Sequence, residues 1–343
     1  MLNIGIIGCG KIAQIRHIPE CIANPDAKLY GLYDLSYERA AELADKFGAK
    51  AYESAEALLA DPEIDAVLVC AANYAHAELT IKALEAGKDV LCEKPMAVTL
   101  EDCESMIEAM KSTGHRLMIA QNQRLNKAHT EARRMIAEGR IGKVITFRTA
   151  FGHCGPETWS ITPGKDVWFF DKSKAAMGAM ADLGIHKTDA IRFMLDADIV
   201  RTTARLTTLD KRGSNGELIG VDDNAICIYE MSNGSIGTMT ASWTYYGQED
   251  NSTIFYGTEG IMRIYDDPVH TIRVISKDGT EECFDVERIQ TNDNQTASGV
   301  IDEFIAALLE KRESVFDVEK VFPSMKAVFA CIRSSESGKT EEV

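Results

Sequence analysis

The chain has 343 residues, more than one hydrophobic core usually holds, so we expect two domains. Its contents of 45% hydrophobic and 26% charged residues are ordinary for a globular protein. A formal net charge of −16 argues against nucleic acid or an anionic membrane as the main partner. No apolar stretch is long enough to predict a membrane span.

The nine cysteines lie mostly in apolar runs and lack the spacing of metal ligands. We interpret them as reduced, buried thiols and expect no metal site. The first predicted strand begins at residue 2, which leaves no room for a signal peptide. Together these features predict a cytoplasmic protein.

Residues 1–122 alternate strands and helices. Short apolar runs predict strands at residues 2–7, 28–33, 66–70, 89–92 and 117–120. Helices are expected at 37–47, 74–86 and 101–112, with Ser36, Asn73 and Thr99 as N-caps. This alternation predicts an α/β Rossmann domain with a doubly wound parallel sheet.

The pattern changes over residues 123–343. A helix at 127–138 and a strand at 144–150 precede an aromatic loop at 151–171 and a long helix at 175–195. Alternating runs then predict strands at 224–229, 235–243, 252–256, 261–265, 271–276 and 282–286, followed by helices at 301–311 and up to 334, with Pro323 near the start of the last helix or kinking it. These elements predict an α+β domain with an open, largely antiparallel sheet. The long helix should cover one face, and the other face is a natural subunit interface for a homodimer or homotetramer.

Residues 8–13 form a G-x-G-x-x-A turn between a predicted strand and a predicted helix. Gly8 would make the tight turn, Gly10 would let a pyrophosphate approach the backbone, and Ala13 would let helix and strand pack closely. The helix N-terminus then offers N–H groups to the phosphates. The alternative is a glycine turn in an ordinary βαβ unit.

Asp34 follows the second predicted strand at the distance from the turn where a ribose hydroxyl contact is expected. Its charge would repel a 2′-phosphate and so favours NAD over NADP. Arg39 could soften that preference, although it is also explained as a solvated helix residue.

The stretch Glu93-Lys94-Pro95 follows the strand predicted at 89–92. In open α/β sheets, ligands bind outside the carboxyl ends of the strands. Pro95 stiffens the backbone, so Lys94 is held by a turn and could polarise a reacting oxygen. The alternative is a solvated surface lysine.

Asp182, His186 and Asp189 fall at i, i+4 and i+7 of the helix predicted at 175–195, so they share one stripe. His186 has the acidity for proton transfer near neutrality, and Asp182 could orient it or bind a substrate hydroxyl. A hydroxyl proton would leave to His186 while a hydride leaves the same carbon for nicotinamide. The alternative is a helix-stabilising Asp–His pair.

Other residues are weaker candidates. Asn73 and His76 could reach the nicotinamide ribose, with a plain helix cap as the alternative for Asn73. Gln121 and Arg124, after the strand at 117–120, could touch cofactor or substrate. The remaining candidates are aromatic side chains and a histidine in the loop at 151–171, namely His153, Trp159, Trp168 and Phe169. His17, His115, His129 and His270 are interpreted as surface or packing residues.

These motifs resemble the glucose–fructose oxidoreductase/inositol dehydrogenase/rhizopine-catabolism (Gfo/Idh/MocA) family over essentially the whole chain. The resemblance lies in residues 8–13, 72–76, 86–95 and 182–189, with further matches at 256–260 and 334–339. It implies an NAD(P)-dependent oxidoreductase of sugars, polyols or related cyclic alcohols, with catalytic roles for Lys94, Asp182 and His186. It also implies dimers or tetramers assembled through the second domain's sheet.

The chain departs from the family pattern at three places. Ala71-Ala72-Asn73 stands where members usually carry Thr-Pro-Asn, residues 175–178 replace a glycine cluster, and Trp168-Phe169 replaces a common Trp-Arg pair. None of these removes a catalytic group.

Two further hypotheses on the function stay open: an enzyme that cleaves glycosides through transient oxidation by NAD, and a non-catalytic sugar or nucleotide sensor.

The predicted cofactor is NAD, with NADP possible. The predicted cofactor contacts are Gly8, Gly10, Lys11, Ile12, Ala13, Asp34, Leu35, Ala72, Asn73, His76, Glu93, Lys94, Gln121 and Trp168. The predicted substrate contacts are Lys94, Arg124, His153, Trp159, Asp182 and His186. We predict that Lys94 and His186 converge on one substrate carbon.

Overall fold

A computed structural model describes residues 1–287 and 297–343 of the chain. These residues divide into two compact units. The first unit holds residues 1–122 and 297–322, and the second holds residues 123–287 and 323–343. No helix among the described residues is both long enough and apolar enough to cross a membrane.

The first unit contains a six-stranded parallel sheet. Its strands are β1 (Leu2–Ile7), β2 (Ala27–Tyr33), β3 (Lys50–Ala51), β4 (Ala66–Val69), β5 (Asp89–Cys92) and β6 (Leu117–Ile119), in the order β3-β2-β1-β4-β5-β6. The strand order reverses between β1 and β4, which is where an open α/β sheet forms its ligand crevice. The predicted doubly wound fold is therefore confirmed.

Helices follow the strands of this sheet as the sequence predicts. A π-helical turn at Ala13–His17 leads into α1 (Ile18–Ala23), and the others are α2 (Tyr37–Phe47), α3 (Ala55–Leu59), α4 (His76–Glu85) and α5 (Leu100–Thr113). The predicted caps Ser36 and Thr99 accept backbone N–H groups of their helices. Asn73 does not cap α4; it begins a short 3₁₀ turn, Asn73–Ala75, which starts without a side-chain cap.

The second unit contains a nine-stranded sheet. Its strands are β7 (Val144–Gly152), β8 (Ile199–Thr207), β9 (Asn224–Met231), β10 (Ile236–Ser242), β11 (Thr253–Gly257), β12 (Gly260–Ile264), β13 (Ile272–Ser276), β14 (Glu281–Phe284) and β15 (Glu341–Glu342), in the order β14-β13-β12-β11-β7-β10-β9-β8-β15. Among the described strands of this second sheet, β7 and β10 form the one parallel pair. The predicted largely antiparallel sheet is confirmed, although the sequence analysis missed β8, in which five of nine side chains are polar and two are buried.

The helix predicted at residues 175–195 is broken in the structure. After α6 (Lys127–Ala137), a short α7 (Lys172–Ala175) ends at Ala176, whose φ is +61°, and a π-helical turn at Met180–Gly184 then leads into α8 (Ile185–Leu195). Asp222 causes this break, because its carboxylate accepts the N–H groups of Gly178 and Met180 at 2.7 and 2.8 Å. A new helical start is thereby fixed after the break. Thr188 of α8 bonds to Tyr229 on β9 at 2.8 Å, so the helix lies on one face of the sheet.

The end of the chain contributes two more helices, α9 (Val300–Glu310) and α10 (Val318–Ser337), the second with Pro323 inside it. The sequence analysis placed everything after residue 122 in the second domain, whereas residues 297–322 lie in the first unit. Polar contacts explain why residues 297–322 belong to the first unit. Glu20 accepts a hydrogen bond from the Ser298 hydroxyl at 2.6 Å, and Arg116 donates to the Ala307 carbonyl at 2.7 Å.

Candidate active site

The glycine turn closes the carboxyl end of β1. Gly8 adopts a φ of +97°, and a Cβ there would lie 2.6 Å from the backbone of Cys70, so only glycine fits. A Cβ on Gly10 would meet nothing within 4 Å. No protein atom therefore requires glycine at position 10. The free space beside its backbone is what a bound pyrophosphate would need.

Asp34 lies directly after β2 and binds the turn. Its carboxylate accepts the Cys9 N–H at 2.7 Å and the Ser36 N–H at 2.8 Å, and Arg39 donates to it at 2.9 Å. Asp34 is nearly buried, whereas the neighbouring Leu35 is 85% exposed. A fixed carboxylate beside an exposed apolar side chain suits the ribose and base of a nucleotide. Lys11, Ile12 and Ala13 follow at the start of the helix.

Lys94 stands on a turn held by the preceding residue. Glu93 is buried, and its Oε2 accepts the Lys94 backbone N–H at 3.0 Å. Burial alone would raise the pKa of Glu93. The hydrogen bond and charge of His17, with the charges of Arg16 and Lys94, outweigh that effect and hold the pKa well below its usual range. Glu93 is therefore a carboxylate at neutral pH. Its partners are Arg16 and His17, and the sequence analysis had interpreted His17 as a surface or packing residue.

His76 has a different role from the predicted ribose contact. It is buried, with Nδ1 2.7 Å from the Pro95 carbonyl and Nε2 3.0 Å from the Ala71 carbonyl. Both nitrogens thus face backbone, and the ring braces the loops after β4 and β5. Ala72 and Asn73 lie in the first of those loops, and Asn73 is nearly buried.

Gln121 follows β6 and is fully buried. Neither polar atom of its side-chain amide has a hydrogen-bond partner among the described residues. Burying an amide without partners is costly, and such groups in proteins usually meet a ligand or water. This supports the predicted cofactor contact from Gln121.

The second unit brings together an acid–aromatic cluster, which we define as His153, Trp159, Asp182, His186 and Trp243. Asp182, His153 and His186 are each at most 8% exposed. Trp243 donates from its indole Nε1 to Asp182 Oδ2 at 3.0 Å, and His153 Nε2 lies 4.0 Å from the same oxygen.

The tautomer of His153 follows from its neighbours. The Gly155 backbone N–H donates to His153 Nδ1 at 3.0 Å, so in the neutral ring the proton sits on Nε2, which faces Asp182. The His186 ring contacts Phe151, with centroids 6.1 Å apart, and Phe151 also meets His153 edge to face at 6.0 Å. Asp182 and both imidazoles therefore share one small region of the unit.

The loop at 151–171 adds aromatic faces to this region. Trp159 meets His153 edge to face at 6.2 Å, and its indole Nε1 is buried without a hydrogen-bond partner among the described residues. Trp168 stacks on Phe169, with centroids 3.9 Å apart, and Phe169 meets Trp159 at 5.3 Å. Aromatic rings beside polar groups are the usual lining of a sugar site.

Arg124 differs from the predicted substrate contact. Its Nε and Nη2 both donate to Asp189 at 2.7 Å, a bidentate pair with both side chains buried. Ser324 donates to the same carboxylate at 2.7 Å. Arg124 therefore uses its guanidinium to bind α8 through Asp189. Asp189, the third member of the predicted stripe, has a structural role in this ion pair.

The sequence analysis did not predict the contacts of three residues near the candidate site, His17, Trp243 and Lys187. His17 and Trp243 hold the carboxylates of Glu93 and Asp182, which lie 76 and 61 residues away in the chain. Lys187 is fully buried beside His186 and donates to the Asn251 carbonyl at 2.8 Å. No local spacing signals any of these contacts. Among residues 1–287 and 297–343, no group of three or more potential ligands is placed to hold a metal ion.

Comparisons with known proteins show which proteins this chain is similar to. Residues 2–121 match the model of an oxidoreductase family with an NAD-binding Rossmann fold, and residues 129–263 match the GFO/IDH/MocA C-terminal domain. Levoglucosan dehydrogenase of Pseudarthrobacter phenanthrenivorans is 30% identical over 288 residues, which cover 76% of this chain and 72% of that protein. The 1,5-anhydro-D-fructose reductase of Ensifer adhaerens is 32% identical, over 75% of this chain and 74% of that protein.

The fold is also that of a solved structure. Levoglucosan dehydrogenase in complex with NADH and levoglucosan superposes with a TM-score of 0.86 at 24% identity, covering 100% of this chain and 99% of the other.

Proposed function

Because the chain belongs to the GFO/IDH/MocA family of oxidoreductases, we propose that it transfers a hydride between NAD and a ring hydroxyl or ketone of a sugar or inositol-like cyclic polyol. Similar proteins act on such compounds by name, among them levoglucosan dehydrogenase and myo-inositol 2-dehydrogenase. NAD is the cofactor of the matched Rossmann domain.

The acid–aromatic cluster is the observation that carries this proposal. His153 lies 4.0 Å from the Asp182 carboxylate, and the rings of His153 and His186 both contact Phe151. The indole N–H of Trp159 has no hydrogen-bond partner among the described residues. Ring hydroxyls need such donors and acceptors, while the C–H faces of a sugar pack on aromatic rings. A fatty or aromatic alcohol would leave the buried indole N–H of Trp159 without a hydrogen-bond acceptor.

Each unit supplies part of the proposed chemistry. When bound, NAD supplies the nicotinamide C4 that takes up or releases the hydride. In the oxidation direction His186 takes the hydroxyl proton, Asp182 accepts a hydrogen bond from a substrate hydroxyl, and Lys94 stabilises charge that develops on the reacting oxygen.

The same proposal includes a cytoplasmic location and assembly as a homodimer or homotetramer. All nine cysteines are free thiols and seven of them are buried, which suits a reducing compartment. The face of the sheet opposite α8 exposes isoleucines, which suits a subunit interface.

The test is a panel of aldoses, anhydro-sugars and inositols assayed with NAD and NADP by absorbance of the reduced nicotinamide. We expect NAD-dependent turnover on at least one cyclic compound, with kcat lowered about a hundredfold or more in Lys94→Ala and in His186→Ala. Lys111→Ala and His115→Ala, outside the proposed site, are the matched controls. Normal turnover in both site variants would contradict the assigned roles. Sugar release without net NADH would favour the glycoside-cleaving reaction instead.

A further inference from the structure

A buried ionic group in the first unit surrounds the turn that carries Lys94. Glu93 Oε1 accepts a hydrogen bond from His17 Nε2 at 2.8 Å and lies 3.4 Å from Arg16 Nη1. Its Oε2 accepts the Lys94 backbone N–H at 3.0 Å. Glu93, His17 and Arg16 are 5%, 1% and 4% exposed.

The π-helical turn explains how two neighbouring residues reach one carboxylate. Adjacent side chains on an α-helix point about 100° apart. A π-helical turn, closed by i→i+5 bonds, has more residues per turn than an α-helix, so the side chains of adjacent residues point in more similar directions. Arg16 and His17 are the last two residues of that turn, Ala13–His17, and both are buried on Glu93.

Burying an ionised carboxylate costs free energy, and its hydrogen bonds and ion pairs offset that cost only when their geometry is good. Because the carboxylate only accepts, His17 must donate from Nε2. Loss of that donor would let Glu93 rotate and would release the Lys94 amide. His76 holds the far side of the same turn through the Pro95 carbonyl at 2.7 Å. His17 is thus the main partner that fixes the orientation of Glu93.

We propose that His17 is a positioning residue for Lys94: through Glu93 it fixes the lysine backbone relative to the glycine turn. This inference rests on the proposed function for the role of Lys94 in catalysis, but the mechanical link can be measured without turnover. A ring that merely filled space would be replaceable by an apolar side chain of similar size.

The variants separate these two roles. His17→Leu removes the donor and keeps most of the volume, whereas His17→Gln keeps an N–H donor. Arg16→Met removes the more distant partner of Glu93, the guanidinium 3.4 Å from its Oε1, and carries the test should His17→Leu not fold. Lys88→Met is the matched control, because Lys88 is also buried in this unit, donates to the carbonyls of Asp61 and Ile64, and lies at the opposite end of β5.

The first measurement is hydrogen exchange at the Lys94 amide by mass spectrometry. Pro95 has no backbone N–H, so in a short peptide ending at Met96 the Lys94 amide is one of few that exchange. We expect exchange about tenfold faster or more in His17→Leu, a smaller increase in Arg16→Met, and near-native rates in His17→Gln and Lys88→Met. Unchanged exchange in folded His17→Leu overturns the proposal.

The second measurement is kinetic. On a sugar that the wild type oxidises, we expect kcat to fall about tenfold or more in His17→Leu, with KM for NAD and sugar within about threefold. The deuterium isotope effect on kcat should rise, because hydride transfer becomes slower than product release, and His17→Gln should restore both. Faster exchange with unchanged kcat overturns the catalytic part, whereas a wild type inactive on every sugar overturns the proposed function and leaves the exchange result to decide the link.

Discussion

The two glycines of the turn after β1 have different surroundings in the protein. Gly8 has a positive φ and the backbone of Cys70 against it, so the fold itself selects glycine. Gly10 has neither restriction, since no atom lies within 4 Å of a Cβ built there. We therefore propose that glycine at position 10 serves the approach of a bound pyrophosphate to the backbone.

Gly10→Ala should therefore separate folding from binding. We expect the melting temperature to stay within about 2 °C of the wild type, because the added methyl group meets no protein atom. The Kd for NAD, measured by calorimetry, should rise about tenfold or more as the methyl group meets the pyrophosphate. Gly220→Ala, whose nearest atom would be at 3.5 Å in the second unit, is the control that should change neither quantity. Unchanged NAD affinity in Gly10→Ala would contradict the placement of the pyrophosphate.

Asp34 is expected to decide between the two nicotinamide cofactors. Its carboxylate is fixed by the N–H groups of Cys9 and Ser36, so it cannot turn away from a 2′-phosphate. Asp34→Ser should remove the repulsion while Arg39 stays, and the ratio of kcat/KM for NADP to that for NAD should rise about tenfold or more. Steady-state kinetics with both cofactors would measure it, with exposed Asp45→Ser on α2 as control. A ratio that does not move would show that Asp34 does not face the ribose.

At this scale the sequence predicts residues but not their partners. Local spacing indicated Asp34 and Lys94, because a strand followed by a turn places the next side chain at the sheet edge. It could not indicate that His17 would meet Glu93 or that Trp243 would meet Asp182, since those contacts join residues 76 and 61 positions apart. Arg124 shows the converse, as a side chain suited to a substrate was committed to Asp189 instead.

At the scale of elements, both π-helical turns, Ala13–His17 and Met180–Gly184, carry or adjoin predicted site residues. Hydrophobic periodicity cannot show such turns, because one extra residue per turn shifts the pattern only locally. The break before Asp182 depends on Asp222, which lies 44 residues from Gly178. The sequence therefore predicted a helix there but not where it begins.

We predict that Lys187, on α8, makes the stability of the protein depend on pH. Burial lowers its pKa from the ordinary 10.5 to about 7, although the charges of Asp250 and Glu249 act in the opposite direction. Between these two values the unfolded chain binds a proton that the native state does not, so native stability rises with pH. Below pH 7 both states are protonated and the full cost of the buried charge is present.

Lys187→Met removes that cost. The free energy of unfolding, from urea titrations, should therefore rise more in this variant at pH 6 than at pH 9.5, by about 3 kcal/mol at roughly 1.4 kcal/mol per pKa unit. Exposed Lys111→Met, on α5, should show no such difference. An equal effect of Lys187→Met at the two pH values would mean that the amine keeps its ordinary pKa in the native protein.

At the scale of the molecule, the alternation of strands and helices predicted the first sheet, and alternating polarity predicted most of the second. The fold class could be predicted because only a few layered architectures accommodate each order of strands and helices. The placement of residues 297–322 in the first unit did not follow, because it depends on side-chain contacts such as Glu20 with Ser298. Two-residue strands such as β15 are too short for any periodicity.

The open face of the second sheet leads to the last prediction. Ile226 and Ile228 on β9 and Ile236 on β10 are 58%, 46% and 49% exposed, and Thr240 and Thr238 lie opposite the first two. Neighbouring exposed isoleucines on one sheet face are unusual for a monomer and indicate an interface. We expect light scattering to give the mass of a dimer or tetramer, and Ile226→Glu/Ile228→Glu to give monomers with unchanged circular dichroism. Ile22→Glu, at an exposed position of α1 in the first unit, should keep the wild-type mass, and a monomeric wild type would refute assembly through this face.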